Sequence, residues 1–296
     1  MPASGTIDYQ FIVIPTGFTE DKWVEKIEVR PTNRAVVHHV VAFAREKGSP
    51  YLSKLQPGVP FAVPDSSKQK RPKDTGAGIW WGAPGTEIIS TYVPGGVAYQ
   101  LKPGQARLIK AGSDLLLQMH YTANGKAGVD RTRVGLVFAK EPPKQRVKNM
   151  LIMNPNLRIP PGAAEHRVEA RVDLQGAASL TSLFPHMHVR GKRFEYRAVY
   201  PTGESEVLLK VPRYDFNWRL TYYLDIPRPL PKGTRLECVA YYDNSPNNPA
   251  NPDPSSEVFW GDQTWEEMLA GFLDLAFDVG TNPDELVKGK PLRSGD

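Results

Sequence analysis

The chain has 296 residues, 40% hydrophobic and 23% charged, which is the balance of a globular protein with room for two domains. A net charge of +5 is only mildly basic, and the one dense basic run, KQKRPK from Lys68 to Lys73, lies among Ser, Asp, Pro and Gly and reads as a solvated loop, so no nucleic-acid partner is expected. A single cysteine, Cys238, excludes intramolecular disulfides and Cys-rich zinc sites, and no stretch approaches the roughly 18 consecutive apolar residues of a membrane span.

The N-terminal MPASGTIDYQ lacks a basic segment followed by an apolar one, so no signal peptide is read there, and a strand-like run, YQFIVI (9–14), begins almost at once. Further strand-like runs are AVVHHVVAFA (35–44), DLLLQMHYT (114–122), RVGLVFA (133–139), HRVEARVDL (166–174), RFEYRAVY (193–200), RLTYYLDI (219–226) and RLECVAYY (235–242). In RVEARVDL the alternation puts Val168, Ala170, Val172 and Leu174 on one face, and in RLECVAYY Cys238 reads as a small buried core residue. The 28 prolines and 25 glycines are spread along the chain and punctuate these short elements. The pattern predicts an all-β protein of antiparallel sandwiches or barrels.

TWEEMLAGFLDLAF opens with a capping box, Thr264 and Glu267, and its second half alternates, which predicts one helical turn leading into a strand. A polar, Pro-rich break at EPPKQR (141–146) divides the chain into two β domains, 1–143 and 144–296. Two long irregular segments remain, 45–87 and the Asn/Pro-rich 243–254, and loops of such length are functional or mobile.

Five of the six histidines fall in three strand-like stretches, and His166, alone at a strand start, is expected at the surface. In PHMHV, His186 and His188 are two apart and project from one face of a strand as a two-point chelate. QMHY supplies His120. VVHHVV poses a problem, because neighbours in a regular strand point to opposite faces. His38 and His39 reach one ion only if the strand bulges or ends there; otherwise one ring packs inside and the other is solvated. The first half thus offers a three-histidine set, and the second a pair that wants a further ligand. A methionine would favour Cu(I) and a carboxylate iron or zinc, and spacing alone does not choose.

VVHHVV, LLLQMHYTANG, PHMHVRGK and WGDQTWEEM, in this order and over residues 8 to 280, resemble the copper type II, ascorbate-dependent monooxygenases. That family includes peptidylglycine α-hydroxylating and dopamine β-monooxygenases, and the chain looks most like bacterial relatives. The resemblance implies two tandem jelly-roll-like β-sandwich domains with few helical turns, each carrying one copper ion. It implies that His38, His39 and His120 bind the electron-transfer copper, and that His186, His188 and Met268 bind the O2-activating, catalytic copper. The activity implied is hydroxylation of a substrate C–H bond by O2, with ascorbate or another one-electron donor, a small molecule or a redox protein, as reductant. Gln118 matches a family glutamine near the first copper. Phe184 and Phe272 stand where peptide-hydroxylating members carry the arginine and tyrosine that hold a substrate carboxylate. A neutral or apolar substrate suits these two rings better, and Arg190, though close in sequence, reads as a surface residue. Copper chemistry of this kind belongs outside the cytoplasm, so a periplasmic or secreted domain cut from a longer precursor is expected. Rival readings are a copper-binding or electron-transfer module without hydroxylase activity, a zinc hydrolase on the three-histidine set, and a carbohydrate- or protein-binding sandwich whose histidines are simply buried.

Overall fold

A computed structural model describes residues 1–49, 54–62, 85–96, 98, 100–261 and 263–289. The basic run Lys68–Lys73 and most of the irregular segment expected over 45–87 lie outside the described residues. The protein is all-β, and among the described residues no helix is long and apolar enough to cross a membrane. Its chain divides into two compact units, Met1–Pro64 with Gly82–Asn149, and one that takes in Met150–Asp296.

The first unit contains β1 (Gln10–Pro15), β2 (Lys22–Arg30), β3 (Val37–Arg45), β4 (Phe61–Ala62), β5 (Thr86–Tyr92), β6 (Gln105–Ile109), β7 (Asp114–Tyr121), β8 (Arg133–Phe138) and the start of β9 (Gln145–Met153). One sheet has the order β4-β1-β7-β3-β5, and the other runs β8-β2-β6-β9. The ladders are antiparallel except for β6 with β9. The sheets pack face to face: Val40, Ala42 and Ala44 of β3 and Leu115, Leu117 and Met119 of β7 share one core with Val24, Ile27 and Val29 of β2 and Ile109 of β6. Residues of opposite parity are buried as well, among them Phe11, Val13, Val41, Phe43, Leu116 and Gln118. The β1-β7-β3 sheet is therefore covered on both faces, which is why its strands read as unbroken apolar runs rather than alternating ones.

The second unit continues with β10 (Arg158–Ile159), β11 (His166–Leu174), β12 (Ala178–His186), β13 (Gly191–Val199), β14 (Ser205–Val211), β15 (Tyr222–Leu230), β16 (Arg235–Tyr242), β17 (Val258–Phe259), β18 (Ala270–Asp278) and β19 (Val287–Gly289). One sheet has the order β14-β13-β16-β11-β19, a second places β12 between β15 and β18, and β10 pairs with β17. Sandwich packing is visible at β18. The Tyr196 hydroxyl of β13 donates to the Phe272 carbonyl at 3.0 Å, and the Tyr242 hydroxyl of β16 donates to the Met268 carbonyl at 2.9 Å. Gly271 lies so close to β16 that a Cβ there would stand 2.3 Å from the Cys238 sulfur, so the sheets meet at this depth only over a glycine. Cys238 is fully buried, and Val168, Ala170 and Leu174 face inward as the alternation predicts.

Two sequence expectations change. His188 lies beyond the end of β12, not on the strand. The segment 263–266 makes only one tight turn, with the Glu266 N–H donating to the Gln263 carbonyl at 2.9 Å, and Glu267 does not close a capping box on Thr264.

Candidate metal centres

In the first unit, His39 stands opposite His120 across the β3–β7 pair, and the register slips between Val37 and His39. This is the bulge that the HH pair requires, and it brings His38 to the side that His39 already faces. The Nδ1 atoms of His38 and His39 are 3.1 Å apart, and those of His120 and His39 are 3.3 Å apart. All three ligand atoms lie within 4.8 Å of one another. A ring nitrogen has one in-plane position, either a proton or a lone pair, so His39 Nδ1 can serve only one of its two contacts with a linear hydrogen bond. An ion at the focus serves all three, and separations of this size follow when imidazoles bind one ion at about 2.0–2.1 Å. The donor set therefore fits a metal that accepts imidazole. Tyr9 covers it, with ring centroids 4.7 Å from His120 and 5.8 Å from His39. Gln118, buried on β7 two residues before His120, shares its side of the strand and stands opposite Val41 and Phe11.

Asp130 secures both approaches to the bulge. Its carboxylate accepts from the Thr32 and Asn33 N–H groups at 2.9 and 3.0 Å, from the Thr132 hydroxyl at 2.6 Å, and from the Tyr121 hydroxyl next to His120 at 3.4 Å. The Asn33 carbonyl then receives the N–H groups of Val36 and Val37, just ahead of His38. Burial raises the Asp130 carboxyl, but the Thr132, Asn33 and Thr32 donors outweigh it and hold the group below its usual range.

In the second unit, the His186 and His188 rings are perpendicular with centroids 5.3 Å apart, and both are buried. His188 Nδ1 lies 3.0 Å from the Glu266 carbonyl. A carbonyl only accepts, so Nδ1 carries the proton in this contact, the orientation usual for a histidine that ligates through Nε2. Burial lowers the His188 pKa to about 4, with the Glu266 hydrogen bond opposing and the charge of Arg219 adding to the shift. Burial likewise holds His186 well below its usual value, with His188 and Arg219 contributing. Burial thus keeps both rings neutral over the physiological range. Met268 is 1% exposed and lies two residues before Ala270, the residue that faces His186 across the β12–β18 pair. Phe184 and Phe272 oppose each other in that pair and stack at 5.7 Å, 6.2 and 6.3 Å from the His186 ring.

The groups that hold this site in place were not legible in the sequence. Glu267, fully buried, accepts the backbone N–H groups of His188 at 2.8 Å, Arg190 at 2.6 Å and Met268 at 3.2 Å. One carboxylate thereby binds the HMH segment to the EEM segment. Burial raises its pKa to about 7 against the pull of these N–H groups and Arg190. Arg190 is no surface residue: it is 2% exposed and donates to Asn244 Oδ1 and to the Trp265 carbonyl, each at 2.8 Å. Asn244 anchors the Asn/Pro-rich loop by donating to the Pro160 and Ser256 carbonyls, both at 3.0 Å. The Tyr214 hydroxyl accepts from the Met187 N–H at 3.0 Å and donates to the Met187 carbonyl at 2.8 Å. His166, the first residue of β11, is half-buried and lies outside the three-histidine cluster.

No family model matches the chain, and no curated protein matches it. Among solved structures it is similar to infectious bursal disease virus proteins. These are a VP2 subviral particle (11% identity, 95% of this chain and 71% of that one, TM-score 0.27), the Gt strain (11%, 98% and 74%, 0.25) and the Gx strain (9%, 96% and 72%, 0.22). Likeness at this level carries no argument about function.

Proposed function

We propose that the chain is a dicopper monooxygenase that hydroxylates a C–H bond of a small organic substrate with O2 and an external reductant, ascorbate or another one-electron donor, in an extracytoplasmic setting. One observation carries the reading: each unit has its own histidine cluster, and the two differ in kind. The first offers three converging imidazole nitrogens. The second offers two buried imidazoles and a stacked aromatic pair, with Met268 buried two residues before the strand position that faces His186.

His38, His39 and His120 would hold the electron-transfer copper; His186, His188 and Met268 would hold the copper at the reacting centre. Copper bound at these places supplies one-electron cycling and the activation of O2. The chain does the rest. The Glu266 carbonyl fixes the tautomer of His188. Burial keeps both imidazoles unprotonated and available as ligands. Met268 is a soft donor that favours Cu(I). Phe184 and Phe272 form an apolar wall beside His186, suited to the apolar body of a substrate and to the exclusion of water. The three-histidine set alone also suits zinc with a bound water, a reading in which the first unit would be hydrolytic.

The test is anaerobic reconstitution with copper, then metal analysis, Cu(II) EPR and a substrate screen following ascorbate-driven O2 uptake. The proposal expects two copper ions per chain and a product heavier by one oxygen atom. Redox cycling without oxygenated product would leave an electron-transfer module. Preferential zinc retention would favour the hydrolase.

A further inference from the structure

The two histidine clusters differ in their access to solvent. His186 and His188 are buried, whereas His38 and His120 are only half-buried. Two segments flank the second pair along the chain: 31–36 runs into His38, and 122–133 follows His120. They are stitched together. The Thr122 N–H donates to the Val36 carbonyl at 2.8 Å, the Arg131 N–H to the Thr32 hydroxyl at 2.8 Å, and the Asn33 side-chain amide to the Val129 carbonyl at 3.3 Å. What they show to solvent is basic. Arg34, Lys126, Arg131 and Arg133 are all exposed, and none of the four makes an ion pair among the described residues. Arg133 even stands opposite Arg30 in the β2–β8 pair, where like charges are unfavourable, and Glu28 neutralises only Arg30. The one acid in the two segments, Asp130, is occupied by Thr32, Asn33, Tyr121 and Thr132. Asp8, next to the covering Tyr9, is the one acid in residues 1–9. Val129, in the middle of the basic segment, is 80% exposed.

Uncompensated like charges repel one another, and the fold gains no ion pair from holding these four together. An acidic partner removes the repulsion. The cations stand on exposed side chains spread over two segments, not in the concave cradle that holds a small ligand, so a protein face engages them together where a small anion meets one or two. Charges around an exposed apolar residue also suit a small, transient redox encounter, in which complementarity sets the on-rate more than the affinity. Resting on the reading of His38, His39 and His120 as the electron-transfer centre, we propose that segments 31–36 and 122–133 form the docking surface for an acidic electron-donor protein. The donor is oxidised by one electron per encounter and Cu(II) held by the three histidines is reduced to Cu(I). The half-buried edges of His38 and His120 are the way in, and the buried second centre has no such face.

The probes are cytochrome b5, an acidic protein, and cytochrome c, a basic one. Isothermal titration of the full chain with each oxidised cytochrome reads docking without electron transfer. It is run at about 10 mM and about 200 mM ionic strength, between which the Debye length falls from about 30 Å to under about 10 Å. At low salt cytochrome b5 is expected to bind at least about tenfold tighter than cytochrome c, and to lose that advantage at high salt. Anaerobic stopped-flow mixing of reduced cytochrome b5 with the Cu(II)-loaded chain should show electron transfer that slows at least about tenfold over the same range. Arg34→Glu with Arg131→Glu should reverse the preference between the cytochromes, with copper content and reduction by hydroquinone, an uncharged small donor, unchanged. Arg34→Gln with Arg131→Gln should be intermediate. Absent or salt-independent binding of cytochrome b5, an unaltered preference in the charge-reversed variant, or docking that delivers no electron to a copper that hydroquinone reduces overturns the proposal. So does slower reduction of that variant by ascorbate when cytochrome b5 never binds, because the occupant is then a small anion. A copper that no donor reduces sinks the electron-transfer reading instead, and the titration alone then decides the docking surface.

Discussion

Glu267→Gln is the sharpest perturbation of the second centre. One carboxylate oxygen accepts the Arg190 N–H at 2.6 Å, and the other accepts the His188 and Met268 N–H groups at 2.8 and 3.2 Å. Glutamine is the same size but keeps one acceptor oxygen and points an NH2 group at the donors on the other side. One or two backbone N–H groups then lose their acceptor in a fully buried place. Each such loss costs about 1–3 kcal/mol, so the metal-free chain should be destabilised by about 2–4 kcal/mol. Because His188 and Met268 hang from the same carboxylate, their separation should loosen with it, and support of this kind is worth about 10- to 100-fold in metal affinity. Urea unfolding of the metal-free chain reads the first number, and anaerobic competition for Cu(I) with a chelator reads the second. The His38–His39–His120 set should be unaffected. An unchanged urea midpoint together with unchanged Cu(I) affinity at the second centre would refute the idea that Glu267 couples the two segments.

His186→Ala should remove one copper ion per chain and all oxygenated product while the three-histidine copper and the fold persist, as metal analysis and circular dichroism would show. Met268→Ile should weaken Cu(I) at the second centre only, and X-ray absorption should lose its copper–sulfur scattering; two coppers with unchanged activity would mean that another group is the ligand. His120→Ala should abolish metal binding at the first centre and leave the second loaded. Asp130 is held below its usual range by the Thr132, Asn33 and Thr32 donors in spite of burial, so its stabilisation is present above its unfolded pKa of about 3.9 and is lost as pH falls through the folded value. Urea midpoints taken from neutral pH down to about pH 2 should therefore fall less steeply in Asp130→Asn than in the native chain.

Strands with a continuous apolar run or clean alternation were legible in the sequence: β1, β3, β7, β8, β11, β13, β15, β16 and the start of β18 all lie where the pattern puts them, within a few residues. Two of those that escaped, β2 and β12, break the period for identifiable reasons. In β2 the register slips between Val24 and Lys26, which disturbs the alternation that KWVEKIEVR would otherwise show. In β12 a second slip between Leu180 and Ser182 combines with Pro185, which cannot donate to a ladder, so ASLTSLFPH looks like no strand at all. The HH pair shows the opposite case. There the broken period was itself the signal, because two imidazoles of a kind suited to one ion cannot both face it without the bulge found between Val37 and His39.

The supporting groups were out of reach for a different reason. Glu266 and Glu267 are identical and adjacent, and nothing local distinguishes them. Glu266 serves through its backbone carbonyl, which fixes the tautomer of His188, while its side chain accepts the Gln263 N–H at 3.0 Å. Glu267 serves through its side chain, buried beneath the same histidine. Arg190 is hidden by the same logic, since its partners Asn244 and Trp265 lie 54 and 75 residues away along the chain. An isolated arginine in a sequence is rightly expected at the surface, because burial without partners is costly. Only when the fold brings Asn244 and the Trp265 carbonyl to it does burial become favourable, and the arginine then braces the turn that follows His188. Candidate ligand residues announce themselves by type and spacing, whereas the residues that fix their geometry are ordinary ones made special by contacts of long sequence separation.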